Sequence, residues 1–421
     1  MQKKKSFALG FSLVIHSLIM YLVSSWIVAL SANYIVPAMA GKFGMDAGLF
    51  YSINTYAALV SVVAAFVLSQ LTMKFGVRII TVISLIISGL AAVLAGYTTV
   101  LALYIIATIL LFCFAQGYGF VVTNTLMSNW FPRKKAVILG VTTAGTYIAN
   151  LTLTPAFSAI LNTSGIGNAM LMFGIVCFVL GIISIFWIKN RPEDVGLYPD
   201  NDATGLEELS ARQAAAKNYK SEWTIGRLLR TPIVWFFVIA FGFMLLMSSG
   251  VPAQIVPMLI SRGVAPQNAT KIMMISAIAG IFGSVATGFI DKKLGARITS
   301  LIMGVTFLIS LGAMAISSNV TVTIVMLFVW TFFGGGCFNM CPSLAITIFG
   351  AKDYNAVNRI IHPLTQIIKA CSFITIGLTS AMGSGFSGTM WAFFIFVVIS
   401  MIFVLPIKKN GKLDPCKEKV Q

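Results

Sequence analysis

Apolar runs long enough to cross a membrane recur along the whole chain. A helix spans the hydrocarbon core of a bilayer with about 20 mostly apolar residues, and twelve such runs can be placed. They cover residues 8–36, 48–72, 78–97, 99–128, 135–160, 167–188, 232–260, 268–290, 298–317, 320–348, 355–382 and 387–407. The runs are continuously apolar, whereas the strands of a membrane β-barrel alternate in polarity. We therefore predict an all-α polytopic membrane protein with twelve transmembrane helices.

Lysine and arginine are concentrated in every second connection between these runs. The basic connections hold Lys3, Lys4, Lys5, Lys74, Arg78, Arg133, Lys134, Lys135, the segment 189–230, Lys292, Lys293, Arg297, Lys352 and the tail from Lys408 to Lys419. The other connections hold only Lys42, Arg262 and Lys271. Because basic loops stay in the cytoplasm, both termini are predicted to be cytoplasmic. The net charge of +17 is then a topology signal, and we expect no nucleic-acid partner because no basic stretch is interleaved with aromatic residues.

The longest hydrophilic stretch divides the apolar runs into six and six. We predict an N-terminal six-helix bundle at 1–188, a cytoplasmic linker at 189–231, a C-terminal six-helix bundle at 232–407 and a cytoplasmic tail at 408–421. The two halves share a loop pattern, because "SQLTMKFGVR" (69–78) and "GFIDKKLGAR" (288–297) both end in Gly-x-Arg, with a lysine two residues before the glycine. Two like bundles predict a transporter built around a central path.

These loops resemble the Gly-x-Leu-x-Asp-Arg-x-Gly-Arg-Arg signature of the major facilitator superfamily, and the similarity covers the full chain. The first copy has Ser69 and Met73 where the family has Gly and Asp, and the second has Asp291 one place early. In the family this Asp helps to hold one gate closed, so the resemblance implies a first-half latch that is weaker or made by other groups. The predicted gating-loop residues are Lys74, Gly76, Arg78, Asp291, Lys292, Gly295, Arg297, Arg133 and Lys134.

Three further stretches are similar to the oxalate/formate antiporter and monocarboxylate transporter branch of this family. They are "NWFPRKKAVILGVTTAG" (129–145), "RPEDVGLYPD" (191–200), and Pro342 followed by "FGAK" at 349–352. The resemblance implies the major facilitator fold, transport of an organic anion across the cytoplasmic membrane, and a monomer as the default state.

The ionisable side chains inside the predicted helices are all basic. Every Asp and Glu falls in a loop or tail, and the remaining ionisable set is His16, Arg359, His362 and Lys369. On the eleventh helix His362, Gln366 and Lys369 share one face, with Thr365 beside them. A polar stripe of this kind lines water or protein, because lipid cannot solvate it.

No carboxylate lies in any predicted span to neutralise Lys369. Inserting a lysine at the centre of a membrane helix costs about 3 kcal/mol of free energy even on a lenient scale, so its presence needs an explanation. Three explanations remain open. A backbone group serves as its partner, a depressed pKa leaves the amine neutral, or an anion binds there and leaves again. The last explanation defines a substrate site, and a structural lysine bonded to helix carbonyls is the alternative.

The oxalate/formate branch implies an anion site made by an Arg on helix eight and a Lys on helix eleven, boxed by aromatic rings. Counting from Phe349, the Lys of the family falls near Thr365, so Lys369 matches after a shift of one turn along the same face. The helix-eight Arg corresponds to Ser284, in a stretch without charge. One fixed cation together with the titratable His362 suits a monoanion with an uncharged body.

Other polar and aromatic residues share helical faces and are predicted to complete the cavity. Helix five offers Thr143, Tyr147, Asn150 and Thr154; helix four offers Gln116 and Thr123; helix ten offers Trp330, Phe338 and Asn339; helix one offers His16, Ser24 and Tyr34. The alternative for each is a hydrogen bond that packs one helix on another.

Exchange of one anion for another is the simplest coupling, because an occupied cationic site reorients at a lower cost than an empty one. If protons are coupled, His16 or His362 must carry them, since histidine alone titrates near neutral pH unperturbed. We predict a secondary transporter of a small organic anion, with a monocarboxylate favoured and the lipid bilayer as its surroundings. An exporter of bulky amphipathic compounds, using the Met- and Phe-rich interior, and a membrane anion sensor are the alternatives.

We do not expect an enzyme. The sequence has no P-loop, no Gly-x-Ser-x-Gly elbow and no His-x-x-x-His cluster. Cys337 and Cys341 are four residues apart but have no histidine or carboxylate beside them, so we interpret them as packing residues. No cofactor and no metal are expected.

Overall fold

The computed structural model describes residues 2–132, 135–201, 221–350 and 353–407, and their regular secondary structure is helical throughout. Within this part of the chain, eleven helical segments are long and apolar enough to cross a membrane. They are Leu9–Leu30, Ala47–Phe75, Val77–Tyr97, Leu101–Trp130, Ile138–Trp187, Pro232–Ser261, Pro266–Leu294, Ala296–Ile316, Val320–Phe349, Ala356–Ala381 and Gly385–Val404. The all-α polytopic prediction is confirmed.

The helices up to residue 201 are α1 (Gln2–Ser25), α2 (Ala32–Phe43), α3 (Ala47–Phe75), α4 (Val77–Tyr97), α5 (Leu101–Gln116), α6 (Val122–Trp130), α7 (Lys135–Thr143) and α8 (Gly145–Trp187). Wider π-helical turns follow α1 at Trp26–Leu30 and α5 at Gly117–Val121. These turns bulge the helix locally, and such bulges are frequent at functional sites.

The helices from residue 221 onward are α9 (Ile225–Arg230), α10 (Pro232–Gly250), α11 (Ile255–Ser261), α12 (Pro266–Leu294), α13 (Ala296–Ile316), α14 (Val320–Gly334), α15 (Cys337–Phe349), α16 (Tyr354–Ala381) and α17 (Gly385–Val404). A short 3-10 turn at Pro252–Gln254 separates α10 from α11, because Pro252 lacks the N–H that would continue the helix.

The structure joins two of the predicted runs into one segment. The runs at 135–160 and 167–188 fall in the 50-residue segment Ile138–Trp187, which is interrupted at Gly165, where the backbone is non-helical with φ 79° and ψ 175°. Only glycine adopts such a conformation without strain. At 1.5 Å per residue, 50 helical residues add up to about 75 Å along the chain, more than twice the thickness of a bilayer core. The number of crossings and the orientation of the termini stay predictions.

The chain divides into two compact units. The first comprises Met1–Gly44 and Tyr56–Lys220, and the second comprises Met45–Thr55 and Ser221–Gln421. The first turns of α3 therefore group with the second unit, whereas the predicted N-terminal bundle includes them. The reason is a close backbone contact with α16, where a Cβ added to Gly48 would lie 2.9 Å from the carbonyl oxygen of Gly377.

Close helix packing in each unit depends on small residues. In the first unit α8 packs along α4 and α1, and a Cβ on Gly145 would lie 2.7 Å from the carbonyl oxygen of Leu18. In the second unit α10 packs along α16, and α13 packs along α17. Because lipid is as apolar as the helix surfaces, van der Waals contact of this kind holds membrane helices together.

The internal repeat predicted from the loops has a structural counterpart. Gly76 adopts φ 87° and ψ 159°, and Gly295 adopts φ 84° and ψ 156°. The units also share a clamp on the C-terminal end of the helix that follows each loop. The ammonium of Lys42 donates to the carbonyl oxygen of Gly96 in α4 at 2.7 Å, and the guanidinium of Arg262 donates to that of Met314 in α13. Cations stabilise the unpaired carbonyls at such helix ends.

Candidate functional site

Lys369 lies near the middle of the apolar segment Ala356–Ala381, and its side chain is half-buried. Its Nζ is 5.5 Å from the centroid of the Phe338 ring on α15. Among the residues that the structure describes, the ammonium has no hydrogen bond and no ion pair. A cation held over an aromatic face gains about 0.5–2 kcal/mol. This contact uses none of the three N–H donors of the ammonium, so they are available to a further partner.

The other residues of the polar stripe on α16 differ in their burial. His362 and Gln366 are half-buried like Lys369, and they precede it by about two turns and one turn on the same face. Thr365 is fully buried, and its hydroxyl donates to the carbonyl oxygen of His362 at 2.7 Å. The structure therefore groups His362, Gln366 and Lys369, while the hydroxyl of Thr365 is already engaged within the helix.

Asn339 follows Phe338 on α15 and reaches the position where the family resemblance implies an arginine. Its Nδ2 donates to the Oγ of Ser284 on α12 at 3.1 Å. A neutral amide and hydroxyl pair thus stands where a second cation was implied. The Phe338 ring beside it is 38% exposed.

Trp330 is packed differently from Phe338 and Asn339, the other two cavity residues predicted on the tenth helix. Its side chain is buried, and its ring lies 6.0 Å from that of Phe307 on α13. The indole N–H has no partner among the described residues. Trp330 therefore belongs to the interior of the unit in this structure, whereas Phe338 has an accessible face.

A chain of hydrogen bonds in the first unit centres on a residue that the sequence patterns did not select. The Nε1 of Trp26 donates to the Oγ1 of Thr154 at 2.9 Å, and this hydroxyl donates to the Oδ1 of Asn150 at 3.4 Å. The Trp26 ring also lies 4.9 Å from Phe157, whose ring contacts Tyr34 at 6.4 Å. The structure thus brings Asn150 and Tyr34 into one buried cluster with Trp26.

The predicted residues on α8 and α16 occupy matching positions of the repeat. The same interval in the sequence separates Gly76 from Gly295, Tyr147 from Gln366, and Asn150 from Lys369. Tyr147 is half-buried and Asn150 is buried. The first unit therefore carries an uncharged amide at the position where the second unit carries the ammonium.

His16 lies apart from the cluster around Trp26, and Gln116 and Thr123 flank the second π-helical turn. The Nε2 of His16 lies 2.9 Å from the Oγ of Ser184, and its ring meets the edge of Trp187 at 5.3 Å. His16 is ten residues from Trp26, which is about 15 Å along a helix. Gln116 is half-buried. Thr123 is buried, and its hydroxyl has no partner in the described part of the chain.

The first gating loop is held by an asparagine at the end of the predicted sixth span. The backbone N–H of Arg78 donates to the Oδ1 of Asn190 at 2.9 Å, and a Cβ on Gly76 would lie 2.7 Å from the Asn190 Nδ2. The Nδ2 of Asn129 donates to the Asn190 carbonyl oxygen at 3.1 Å. Lys74 is exposed over the ring of Phe75. Asn190 thus holds the backbone of the loop that lacks the aspartate of the family.

The second gating loop uses the aspartate that the first one lacks. The Oγ of Ser343 on α15 donates to the Oδ2 of Asp291 at 2.7 Å. The guanidinium of Arg297 donates to the carbonyl oxygen of Leu405 at the end of α17. Lys292 is exposed. The predicted gating residues Arg133 and Lys134 lie outside the described residues.

Comparison with known proteins extends the resemblance over most of the chain. The sequence model of the Major Facilitator Superfamily matches residues 17–367. An oxalate:formate antiporter from Oxalobacter formigenes is 28% identical over 432 aligned positions, which cover 89% of this chain and 93% of that protein. The uncharacterized MFS-type transporter YhjX from Escherichia coli strain K12 is 23% identical and covers 70% of this chain and 71% of its own.

Solved structures share the fold at low sequence identity. The D-xylose-proton symporter has a TM-score of 0.70 at 12% identity, covering 96% of this chain and 98% of that one. A bacterial homologue of the human lysosomal transporter Spinster, inward-facing and unoccupied, has a TM-score of 0.68 at 13% identity, covering 95% and 96%. With the family match to residues 17–367, the chain belongs to the Major Facilitator Superfamily and is a multi-pass secondary transporter of the cytoplasmic membrane, not an enzyme.

Proposed function

We propose that this transporter moves a small organic monoanion, most suitably a monocarboxylate, by alternating access. The observation that carries the proposal is the ammonium of Lys369, which lies near the middle of the apolar segment Ala356–Ala381 beside the Phe338 ring, without an ionic partner among the described residues. An intramembrane cation without a fixed counter-ion is best neutralised by a bound anion. The similarity to an oxalate:formate antiporter supports an organic anion.

A single negative charge fits this site better than two. The position that would hold a second cation carries Ser284, whose hydroxyl accepts a hydrogen bond from Asn339. A second carboxylate placed there would lose its hydration without gaining an opposite charge, and burying an unpaired charge is costly. A neutral polar group on the substrate can instead form hydrogen bonds with the amide of Asn339 and the hydroxyl of Ser284.

Anion exchange is the coupling that these residues support most simply. An empty site must carry the unneutralised Lys369 through the reorientation, whereas an occupied site is electrically neutral. If a proton is coupled, we assign it to His362, which is half-buried on the face of Lys369. His16 is less suitable because it is buried against Ser184 and Trp187.

The architecture that goes with this function follows the sequence predictions. We propose twelve crossings, both termini in the cytoplasm, bundles at 1–188 and 232–407 joined by the linker 189–231, and a monomer. Cysteine labelling of loop positions from each side of the membrane tests the orientation. A label at Lys271 that reacts from the cytoplasm would contradict it.

Counterflow in liposomes is the direct test of the substrate. Liposomes that contain the protein and are loaded with unlabelled formate, acetate or lactate should accumulate the labelled anion from outside. The substitution Lys369→Gln should abolish this uptake. Lys271→Gln is the matched control, because Lys271 is exposed near the start of α12 and its loss removes the same charge. Undiminished exchange in Lys369→Gln, or accumulation of bulky neutral or cationic compounds only, would refute the proposal.

A further inference from the structure

A short helix outside the predicted spans presents apolar side chains to its surroundings. α9 lies immediately before α10, and of its residues Leu228 is fully buried while Ile225 and Leu229 are 51% and 42% exposed. Ile225 and Leu229 are four residues apart, so they lie on the same face of the helix. The outward face of α9 is therefore apolar, although the helix carries two arginines.

Trp235 extends this apolar face onto the first turn of α10. Its side chain is 42% exposed, and its indole N–H donates to the carbonyl oxygen of Leu229 at 2.8 Å. The carbonyls in the last turn of a helix have no helical partner, so the bond satisfies one of them and holds the ring next to Leu229. Ile225, Leu229 and Trp235 form what we call the apolar strip.

The strip is attached to one defined end of the second unit. Trp223, just before α9, packs edge-on against Phe349 at the end of α15, with ring centroids 5.2 Å apart. The Oγ of Ser221 donates to the Oδ1 of Asp353 at the start of α16 at 2.6 Å. α9 therefore lies where α15 ends and α16 begins, at an end of the helices and not along their length.

The described charges around the strip are two positive and two negative groups, and they differ in whether they have a partner. Arg227 stacks over the Trp223 ring at 4.8 Å and pairs with Glu222 at 3.3 Å. Arg230 is exposed, and in the described part of the chain its guanidinium has no partner. The nearby Asp353 already accepts the Ser221 hydroxyl. Among the described charged residues next to the apolar strip, Arg230 is the one whose charge has no partner.

We infer that the apolar strip and Arg230 bind the interface of a bilayer that contains anionic phospholipid. Ile225, Leu229 and the Trp235 ring fit the boundary between headgroups and acyl chains, where tryptophan is enriched and amphipathic helices lie. Arg230 then reaches the phosphate of a lipid headgroup, since basic residues near an anionic membrane surface are attracted to it. The contact ties the end of the linker to the membrane and fixes the depth of α10.

Fluorescence quenching by brominated lipids tests the position of Trp235. The signal of Trp235 is the difference between the full-length protein and Trp235→Phe in the same liposomes, and bromine near the headgroup should quench it more than bromine deep in the acyl chain. Trp130 is the matched control, because its N–H also donates to a backbone carbonyl, that of Lys189, while its ring is buried. The difference between the full-length protein and Trp130→Phe, which is the signal of Trp130, should not be quenched. Equal insensitivity of both signals would overturn the assignment.

Lipid selectivity tests Arg230 separately. In nanodiscs that contain phosphatidylglycerol and phosphatidylcholine, native mass spectrometry should show fewer retained phosphatidylglycerol molecules on Arg230→Gln, with an affinity about fivefold lower, which is about 1 kcal/mol. Lys271→Gln, which removes one exposed charge elsewhere in the same unit, should retain the parent selectivity. The same loss in both variants would mean a nonspecific charge effect and would refute the site, as would no loss in Arg230→Gln.

Discussion

Replacing Lys369 by methionine should make the empty transporter more stable while abolishing anion binding. Methionine keeps a similar unbranched length without the charge. On insertion scales a lysine at the centre of a membrane helix costs about 2.5–3.5 kcal/mol, and the Phe338 ring offsets about 0.5–2 kcal/mol of this as a cation–π partner. Because the side chain is half-buried and keeps part of its hydration, the lower ends apply. The net gain on substitution should be about 2 kcal/mol.

The assay is thermal unfolding of the detergent-purified protein followed by tryptophan fluorescence. A gain of about 2 kcal/mol in a unit of this size raises the midpoint by about 4–8 °C. Adding a transported monocarboxylate at a hundredfold excess over its Kd should stabilise the parent by about 2.7 kcal/mol and leave Lys369→Met unchanged. Lys271→Met, at an exposed position, should behave like the parent in both measurements.

The opposite sign would refute this reasoning. If Lys369 instead donates structural hydrogen bonds to helix carbonyls, its replacement should lower the stability of the protein by about 1–3 kcal/mol. Its removal would also leave the stabilisation by monocarboxylates in place. Either result would mean that Lys369 is a structural residue and that the anion binds elsewhere or not at all.

Three further predictions concern the loops and the first unit, all measured by thermal unfolding. Gly295→Ala should cost about 1–2 kcal/mol because its φ of 84° suits glycine, and Gly76→Ala should cost more, because its Cβ would also meet Asn190 at 2.7 Å; equal losses would contradict this. Asn190→Ala should cost about 1–2 kcal/mol through the orphaned N–H of the loop, and a neutral result would mean that this hydrogen bond does not hold the loop. Trp26→Phe should cost about 1 kcal/mol, with a similar coupling to Thr154→Val in a double-mutant cycle; independent effects would rule out the bond.

Features that depend on one helix face could be predicted from the sequence. His362, Gln366 and Lys369 were placed together because a helix repeats its faces every three to four residues, and all three are half-buried on α16. The matching loops were likewise visible as a repeated pattern, and Gly76 and Gly295 adopt nearly the same conformation.

Features that depend on contacts between distant segments could not be predicted in this way. Trp26 is one more apolar residue in an apolar run, and only packing against α8 brings its N–H to Thr154. Asn190 directly precedes the Arg-Pro-Glu-Asp stretch, which was the one available signal, but its partner Arg78 is far away in the sequence. His16 was selected as a buried titratable group, and the structure places it beside Ser184 and Trp187.

Composition and pattern along the chain predict a helical membrane protein with two related halves and a basic polar stripe. These properties follow from the length and polarity of continuous runs, because a bilayer imposes the same requirement on each run separately. Tertiary structure decided which polar groups are already satisfied. It paired Asn339 with Ser284, closed the hydroxyl of Thr365 within its helix, and left Lys369 over an aromatic ring. Hydrogen bonds and ring contacts require atoms a few ångströms apart, and separation along the chain does not specify that distance.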